Sequence, residues 1–364
     1  MIQNRILNNY VLLLIAFIMG VSCTKTSKPD SVLPSGTMAE VLNHSTAYWA
    51  SNVAVQRGGF SGPLAAPGPF TGFVVSNYGW RLLGFSVYAG INQTTGTTDT
   101  LSRIDPNIMK AIAGYMFVNG KLDTANLPNT VNGEMRTIDG KTLYCTKVPA
   151  VVTYSGIAAN VGVPYINGHR VTTINIPYPN NGIIQELGEV VLPPIGPIAA
   201  TIDTIALRKD TTLSLLKASL LKASTATGSG SVNLMQLLAQ PGPYTVFAPT
   251  NAAFRAYGGG IYNSIEKINA LSGPALDLLN RHLQFHIVAQ RLFSSYWINF
   301  STTANSENTV ATILPGKAVN ILGNNVVVGN NIRANIAPGS GGVEINRTCD
   351  NGVIHKISAF LKAE

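Results

Sequence analysis

The chain has 364 residues, enough for two or three domains that each bury a core. Charged residues make up only 12% while Gly numbers 35 and Pro 20, which points to a strand-rich protein, and 46% hydrophobic residues are too few for a polytopic membrane protein. The net charge of +8 comes without a basic run or basic residues interleaved with aromatics, so no nucleic-acid partner is expected.

The first elements in chain order are targeting signals. Met1 to Tyr10 carries one charge, Arg5, and Val11 to Met19 is an unbroken apolar run. Gly20-Val21-Ser22-Cys23 then puts small residues before a cysteine. Residues 1–22 read as a secretory signal peptide, too short to span a bilayer stably. Cys23 at the cleavage point resembles the lipobox of bacterial lipoproteins, with Gly20 where that motif usually has Leu. The resemblance implies that Cys23 is acylated (palmitate among its chains) and that the protein partners the membrane through this N-terminal lipid. It places the chain in the cell envelope as an outer-membrane lipoprotein, surface-exposed or periplasmic. Several acyl chains give a stable anchor, at about 0.8 kcal/mol per buried CH₂. Residues 23–36, with Lys25, Lys28, Pro29 and Pro34, read as a polar tether.

The rest divides into 37–197 and 198–364, joined by Ile195 to Thr201 as a short linker, because one segment is written twice. Gly68-Pro69-Phe70-Thr71-Gly72-Phe73 runs on to Ser76-Asn77 and Trp80-Arg81, and Gly242-Pro243-Tyr244-Thr245-Val246-Phe247 runs on to Thr250-Asn251 and Phe254-Arg255. About 100 residues later in each copy comes a second match, Asn181-Gly182-Ile183-Ile184 and Asn351-Gly352-Val353-Ile354. Leu213, Leu216, Leu220 and Leu221 predict an amphipathic helix over 212–224. Residues 234–239 predict a short helix stopped by Pro241. Tyr244 to Ala248 predicts a buried strand ended by Pro249, with Thr250 or Asn251 capping a helix that turns Phe254 inward. Ser76-Asn77 and Trp80 predict the same in the first copy. A further helix is expected over 275–285, and short strands with turns over the last 70 or so residues of each copy. Asn181-Gly182 and Asn351-Gly352 predict hairpin turns with positive φ. Behind them Ile183, Gln185, Leu187 and Val353, His355, Ile357 share a face, where Gln185 and His355 suit satisfied buried polar groups.

Motifs that carry chemistry are missing. There is no Gly-x-Ser-x-Gly, phosphate loop or dinucleotide fingerprint, so no enzyme and no cofactor are expected. His282 and His286 have zinc-binding helical spacing, but Leu283 stands where a zinc protease has Glu and no third ligand is near, so no metal is expected. His44 and His169 read as isolated and exposed, and Glu186 and Glu189 as solvated strand charges rather than a glycosidase pair. Cys145 and Cys349 sit in different copies and read as single buried thiols. Tyr296, Trp297 and Phe300 read as core packing or as part of an apolar surface patch. The basic excess of residues 198–364 suits an acidic glycan or an ordinary solvated surface. Asp30-Ser31-Val32, Asp99-Thr100-Leu101, Asp123-Thr124-Ala125, Asp203-Thr204-Ile205 and Asp210-Thr211-Thr212 resemble a bacterial O-glycosylation acceptor, and read equally as turn or cap pairs.

At Thr245, Phe247, Pro249, Thr250, Asn251 and Phe254, and again at Asn351, Gly352 and His355, the chain resembles a pair of fasciclin-like domains. These residues are the family signature and read as structural. The first copy is divergent, with Val75 for Pro249, Met116 for His286 and Gln185 for His355. The resemblance implies an α+β fold in which each domain is a twisted β-wedge of about seven strands with a helical cluster. It implies an adhesion or binding module but names no ligand; a glycan or a surface protein is expected as partner. It also marks Tyr115, Met116, Phe285 and His286 as the candidate binding region. The alternative is a structural or accessory subunit of an outer-membrane glycan-uptake or envelope complex.

Overall fold

A computed structural model describes residues 36–84, 101–154, 157–207, 212–303, 308–336 and 345–364. The signal segment, Cys23, Asp30-Ser31-Val32, Asp99-Thr100 and Asp210-Thr211 lie outside the described residues. No helix among the described residues is long and apolar enough to cross a membrane.

The first half opens with three helices, α1 (Met38–His44), α2 (Trp49–Arg57) and α3 (Ser61–Ala65). Thr37 and Glu40 form a capping box that satisfies the first N–H groups of α1. Strand β1 (Phe70–Val75), helix α4 (Asn77–Leu82), helix α5 (Pro106–Tyr115) and strand β2 (Phe117–Asn119) follow. Asp105 caps α5 and Pro106 occupies its first turn, where no N–H is needed. Strands β3 (Gly133–Arg136), β4 (Thr142–Tyr154), β5 (Ile157–Ile166), β6 (His169–Ile176) and β7 (Gly182–Leu187) complete the half. They form a seven-stranded sheet in the order β2-β1-β7-β6-β5-β4-β3. A bridge between Val118 and Thr137 brings its outer strands β2 and β3 together, so the sheet nearly closes.

The second half repeats this plan. Helices α6 (Ile198–Leu207), α7 (Ser214–Ala223) and α8 (Leu234–Ala239) precede strand β8 (Tyr244–Pro249) and helix α9 (Asn251–Ala256). Helices α10 (Ile265–Asn269) and α11 (Gly273–Phe285) lead to β9 (Ile287–Val288). A meander of β10 (Thr309–Ala311), β11 (Ala318–Leu322), β12 (Val326–Gly329) and β13 (Ile332–Asn335) forms one sheet. The other has the order β14-β15-β8-β9, with β14 (Arg347–Cys349) and β15 (Gly352–Ile357), and a bridge from Ile336 to Ile357 links the two. In both halves the strand after Gly-Pro runs parallel to the returning strand: Phe70 faces Gly182, and Tyr244 faces Gly352. The class is α+β.

The apolar strands are buried because both faces are covered. Val246, Ala248 and Phe254 join Leu216, Leu220, Leu279 and Ile354 in a core beneath the helices. On the other face Phe247, Phe285, Trp297, Val319, Ile321 and Ile357 fill the space between the two sheets. Phe254 and its counterpart Trp80 are fully buried, each contributing about 2–3 kcal/mol of apolar burial. Trp297 is core, its indole N–H donating to Asn325 Oδ1 at 2.8 Å, with Tyr296 and Phe300 packed against the same cluster. The described residues from Gly36 onward pack as one compact unit.

Several sequence expectations are corrected. The segment expected as linker is helical from Ile198. Leu221 points outward at 49% exposure, and Leu215 takes the inward place. Strands β4 and β5 are long rather than short, spanning 13 and 10 residues. None of Asn181, Gly182, Asn351 and Gly352 has a positive φ. The left-handed two-residue turns lie instead at Asn167-Gly168, joining β5 to β6, and at Asn330-Asn331, joining β12 to β13. Gly182 and Gly352 are required for another reason: a Cβ there would collide with the carbonyl oxygen of Phe70 or Tyr244 on the parallel neighbour. Glu186 accepts from the Tyr48 hydroxyl at 2.8 Å, and His169 is buried with Nδ1 3.1 Å from Glu189, so neither carboxylate is merely solvated. Of the Asp-Ser/Thr pairs within the described residues, Thr124 has a buried hydroxyl and Thr204 lies inside α6, not in a loop.

Candidate functional site

Residues of the twice-written segments build a set of joints that occur twice. Asn351 is the largest. Its Nδ2 donates to the carbonyls of Leu238 (2.9 Å) and Gln240 (2.6 Å), and its Oδ1 accepts from the Ile198 N–H (2.8 Å). Asn181 does the same in the first half with Leu64 (3.0 Å), Ala66 (2.8 Å) and Met38 (2.7 Å). One amide thus ties the start of the first helix and the end of the third helix to the returning strand. It is satisfied on both its donor and acceptor sides.

Thr245 and Thr71 form the second joint. The Thr245 hydroxyl donates to the Gln290 carbonyl (2.6 Å) and accepts from the Leu292 N–H (2.9 Å). Thr71 donates to Gly120 (2.7 Å) and accepts from Leu122 (2.8 Å). Each threonine folds the chain after the short strand back onto the sheet. Thr245→Val keeps the shape but leaves a carbonyl and an N–H without partners, so it is expected to cost about 2–4 kcal/mol. Urea unfolding of the variant checks this.

Asn251 and Asn77 form the third joint, at a distance from the helix each one begins. Thr250 caps α9 through its hydroxyl to the Ala253 N–H (3.3 Å), whereas Ser76 makes no such bond. The asparagine beside each reaches the N-terminus of another helix. Asn251 Oδ1 accepts from Leu215 in the first turn of α7, and Asn77 Oδ1 from Ala50 in the first turn of α2, both at 2.9 Å. Neither of those helices has a capping side chain of its own.

Gln185 and His355 occupy matched buried positions. Gln185 donates to the Leu122 carbonyl and accepts from the Asn175 N–H, both at 3.0 Å. His355 Nε2 lies 2.7 Å from the Leu292 carbonyl and its Nδ1 accepts from the Asn346 N–H at 3.1 Å. Burial lowers its pKa to about 4, against the bond to Leu292 that favours the proton.

The candidate binding residues Tyr115, Met116, Phe285 and His286 are all buried. Tyr115 donates to the Thr142 carbonyl (2.7 Å) and accepts from Asn167 Nδ2 (2.8 Å). His286 Nδ1 bonds to the His282 carbonyl (2.8 Å), and its Nε2 accepts from the Leu361 N–H (3.0 Å). His282 Nδ1 accepts from Ala363 (3.1 Å), while its Nε2 lies 3.3 Å from the Tyr257 hydroxyl. These histidines hold the C-terminal residues against α11, with Phe360 packed on both rings. All four ring nitrogens are engaged with protein groups. Burial lowers the pKa of His286 to about 3 and that of His282 to about 4, where Arg281 and Lys362 add repulsion. These side chains are therefore not themselves accessible to a partner. Cys145 and Cys349 are free and buried, and burial pushes both thiols up to about 11, so they are protonated at neutral pH.

The two halves meet through polar joints between residues distant in the chain. Asn167 Nδ2 reaches Thr348 (3.0 Å), Asn132 Nδ2 donates to the Arg291 carbonyl (2.8 Å), and Arg347 donates to Pro193 (3.1 Å). The Arg291 guanidinium lies 4.3 Å over the Tyr144 ring and donates to the carbonyls of Cys349, Asp350 and Gly352. Asn167-Gly168 carried a legible signal, the dipeptide of a tight hairpin between apolar runs. Arg291 carried none, because its partners come from distant segments. Between the halves opens a groove of about 840 Å³, with Tyr144, Arg291 and Asn351 among its lining and Glu134, Asp350 and Tyr296 nearby on its walls. It is the candidate binding site. Among the described residues no group of three or more His, Cys, Asp and Glu side chains is placed to hold a metal ion.

Residues 219–363 match the family model described as the Fasciclin domain. Among solved structures the chain is similar to the FAS1 domain pair of the insect cell adhesion molecule Fasciclin I, with 16% identity, a TM-score of 0.36, and coverage of 86% of this chain and 95% of that one. The comparison with curated proteins returns no match.

Proposed function

We propose, taking residues 219–363 as a fasciclin domain, that this chain is a lipid-anchored adhesion or binding module of the bacterial cell envelope, built of two such domains over 37–197 and 198–364 and without catalytic activity. The family match carries the reading. Three further observations support it. The second-half joints at Thr245, Asn251 and Asn351 recur at Thr71, Asn77 and Asn181, so the first half is built on the same plan. The buried histidines and thiols are engaged or protonated rather than poised for chemistry. The sequence around Cys23 has the form of an acylation site.

Two experiments test the anchor and the role. Growth with radiolabelled palmitate is expected to label the protein, and Cys23→Ser is expected to abolish the label and release the protein from the membrane fraction. Protease treatment of whole cells is expected to remove it. A protein that survives such treatment intact lies in the periplasm, which overturns the adhesion role.

A further inference from the structure

We infer that the groove between the two halves is a carbohydrate site that takes a neutral oligosaccharide. The inference goes beyond the anchoring and the domain reading, and rests on the chain being a binding module. Its volume of about 840 Å³ falls in the range of specific ligand sites, and it draws its walls from both halves.

The chemistry of the lining selects the ligand. Glu134 and Asp350 stand exposed on the walls as carboxylates, which only accept hydrogen bonds when ionised. The cation in the groove, Arg291, is already engaged: it donates to three main-chain carbonyls and covers one face of Tyr144. The Asn351 amide is likewise fully bonded within the protein. Among the described residues no lysine lines the groove. An anionic ligand would meet two carboxylates and no free cation among the groove's described lining residues, with Arg136 and Lys141 lining the adjoining cavity that shares Tyr144 and Asp350 instead, so an acidic glycan is disfavoured. The molecule's net charge of +8 disfavours approach of a cationic peptide. A peptide held by main-chain pairing finds Pro197, Pro241 and Pro243 in the lining, which have no N–H to offer. A neutral sugar brings hydroxyl donors for the carboxylates and apolar ring faces for Tyr296 and the prolines. It carries no charge for the carboxylates to repel.

The test is a calorimetric titration of the whole mature chain with neutral hexasaccharides (maltohexaose, cellohexaose, xylohexaose, mannohexaose and chitohexaose), with hexagalacturonate and hexalysine as charged probes. Two variants locate the site. Ala289→Trp fills the groove from an exposed position. Glu134→Gln with Asp350→Asn removes both carboxylates while keeping their shape. Each is compared with the parent by its unfolding midpoint, and either one alone suffices if the other does not fold. The expected result is saturable binding of at least one neutral hexasaccharide, weakened about tenfold or more by the variants. Absence of neutral binding up to about 5 mM, or binding of a charged probe alone, overturns the inference. Neutral binding that the variants leave unchanged overturns the groove assignment while the binding-module reading stands. Loss of cell-surface exposure with groove binding intact does the reverse.

Discussion

Replacing Asn351 with Ala is expected to destabilise the second half by about 4 kcal/mol, and Asn351→Asp to cost at least as much. The alanine leaves the Leu238 and Gln240 carbonyls and the buried Ile198 N–H without partners. The aspartate can still accept from Ile198, but its carboxylate faces two carbonyl oxygens and donates to neither. Asn181→Ala is expected to do the same to the first half, because its three bonds match. If Asn351 served only as a turn former, Asp would substitute for it at a cost of a few tenths of a kcal/mol. Urea unfolding with the midpoint and slope compared between Asn351→Ala and Asn351→Asp separates the two. A near-neutral Asp variant would refute the joint.

Acidification is expected to be the second large effect. His282, His286 and His355 each use one ring nitrogen to accept a main-chain N–H, so each is held neutral. A proton on that nitrogen would face another donor. Their folded pKa values are lowered to about 4, 3 and 4, below the ordinary 6.5, with burial the first cause in each. A base with a depressed folded pKa binds its proton more readily in the unfolded chain, so stability is fully present above pH 6.5 and falls as pH drops through 6.5 towards 4. At pH 5 the loss is about 2 kcal/mol for each histidine. The decline levels off once the folded protein also takes up the proton, near pH 3–4. Urea unfolding at a series of pH values measures it. His355→Gln copies the residue that the first half already has, Gln185, and is expected to reduce the slope by one proton's worth. An unchanged slope in that variant would show that His355 is not held neutral. The C-terminal residues Leu361 and Ala363, bonded to His286 and His282, are the first expected to exchange their amide hydrogens faster in acid.

What the chain makes legible follows from local chemistry. The apolar run at Tyr244, the capping hydroxyl of Thr250 and the inward Phe254 are readable because a strand, a cap and a helix start each depend on a few consecutive residues. The doubling is readable because both halves solve the same packing problem with the same residue types. Asn351-Gly352 was readable as important but not in its role. A turn dipeptide and a long-range amide joint have the same two letters, and only the absence of positive φ and the neighbouring Tyr244 carbonyl distinguish them. His169 reads as exposed from sequence because its partner Glu189 lies on the other side of the β6–β7 hairpin.

The sequence by itself determined the twice-written segment and the elements around each Gly-Pro, because capping and strand propensity act over a few neighbours, while the α+β class came with the family resemblance. Only the tertiary structure decided that the Tyr115 and Phe285-His286 regions are buried, that Asn77 and Asn251 cap helices other than their own, and that a groove lies between the halves. Those facts depend on hydrogen bonds and packing between residues far apart in the chain. Arg291 over Tyr144 joins the two copies, and nothing near either residue in sequence announces the other.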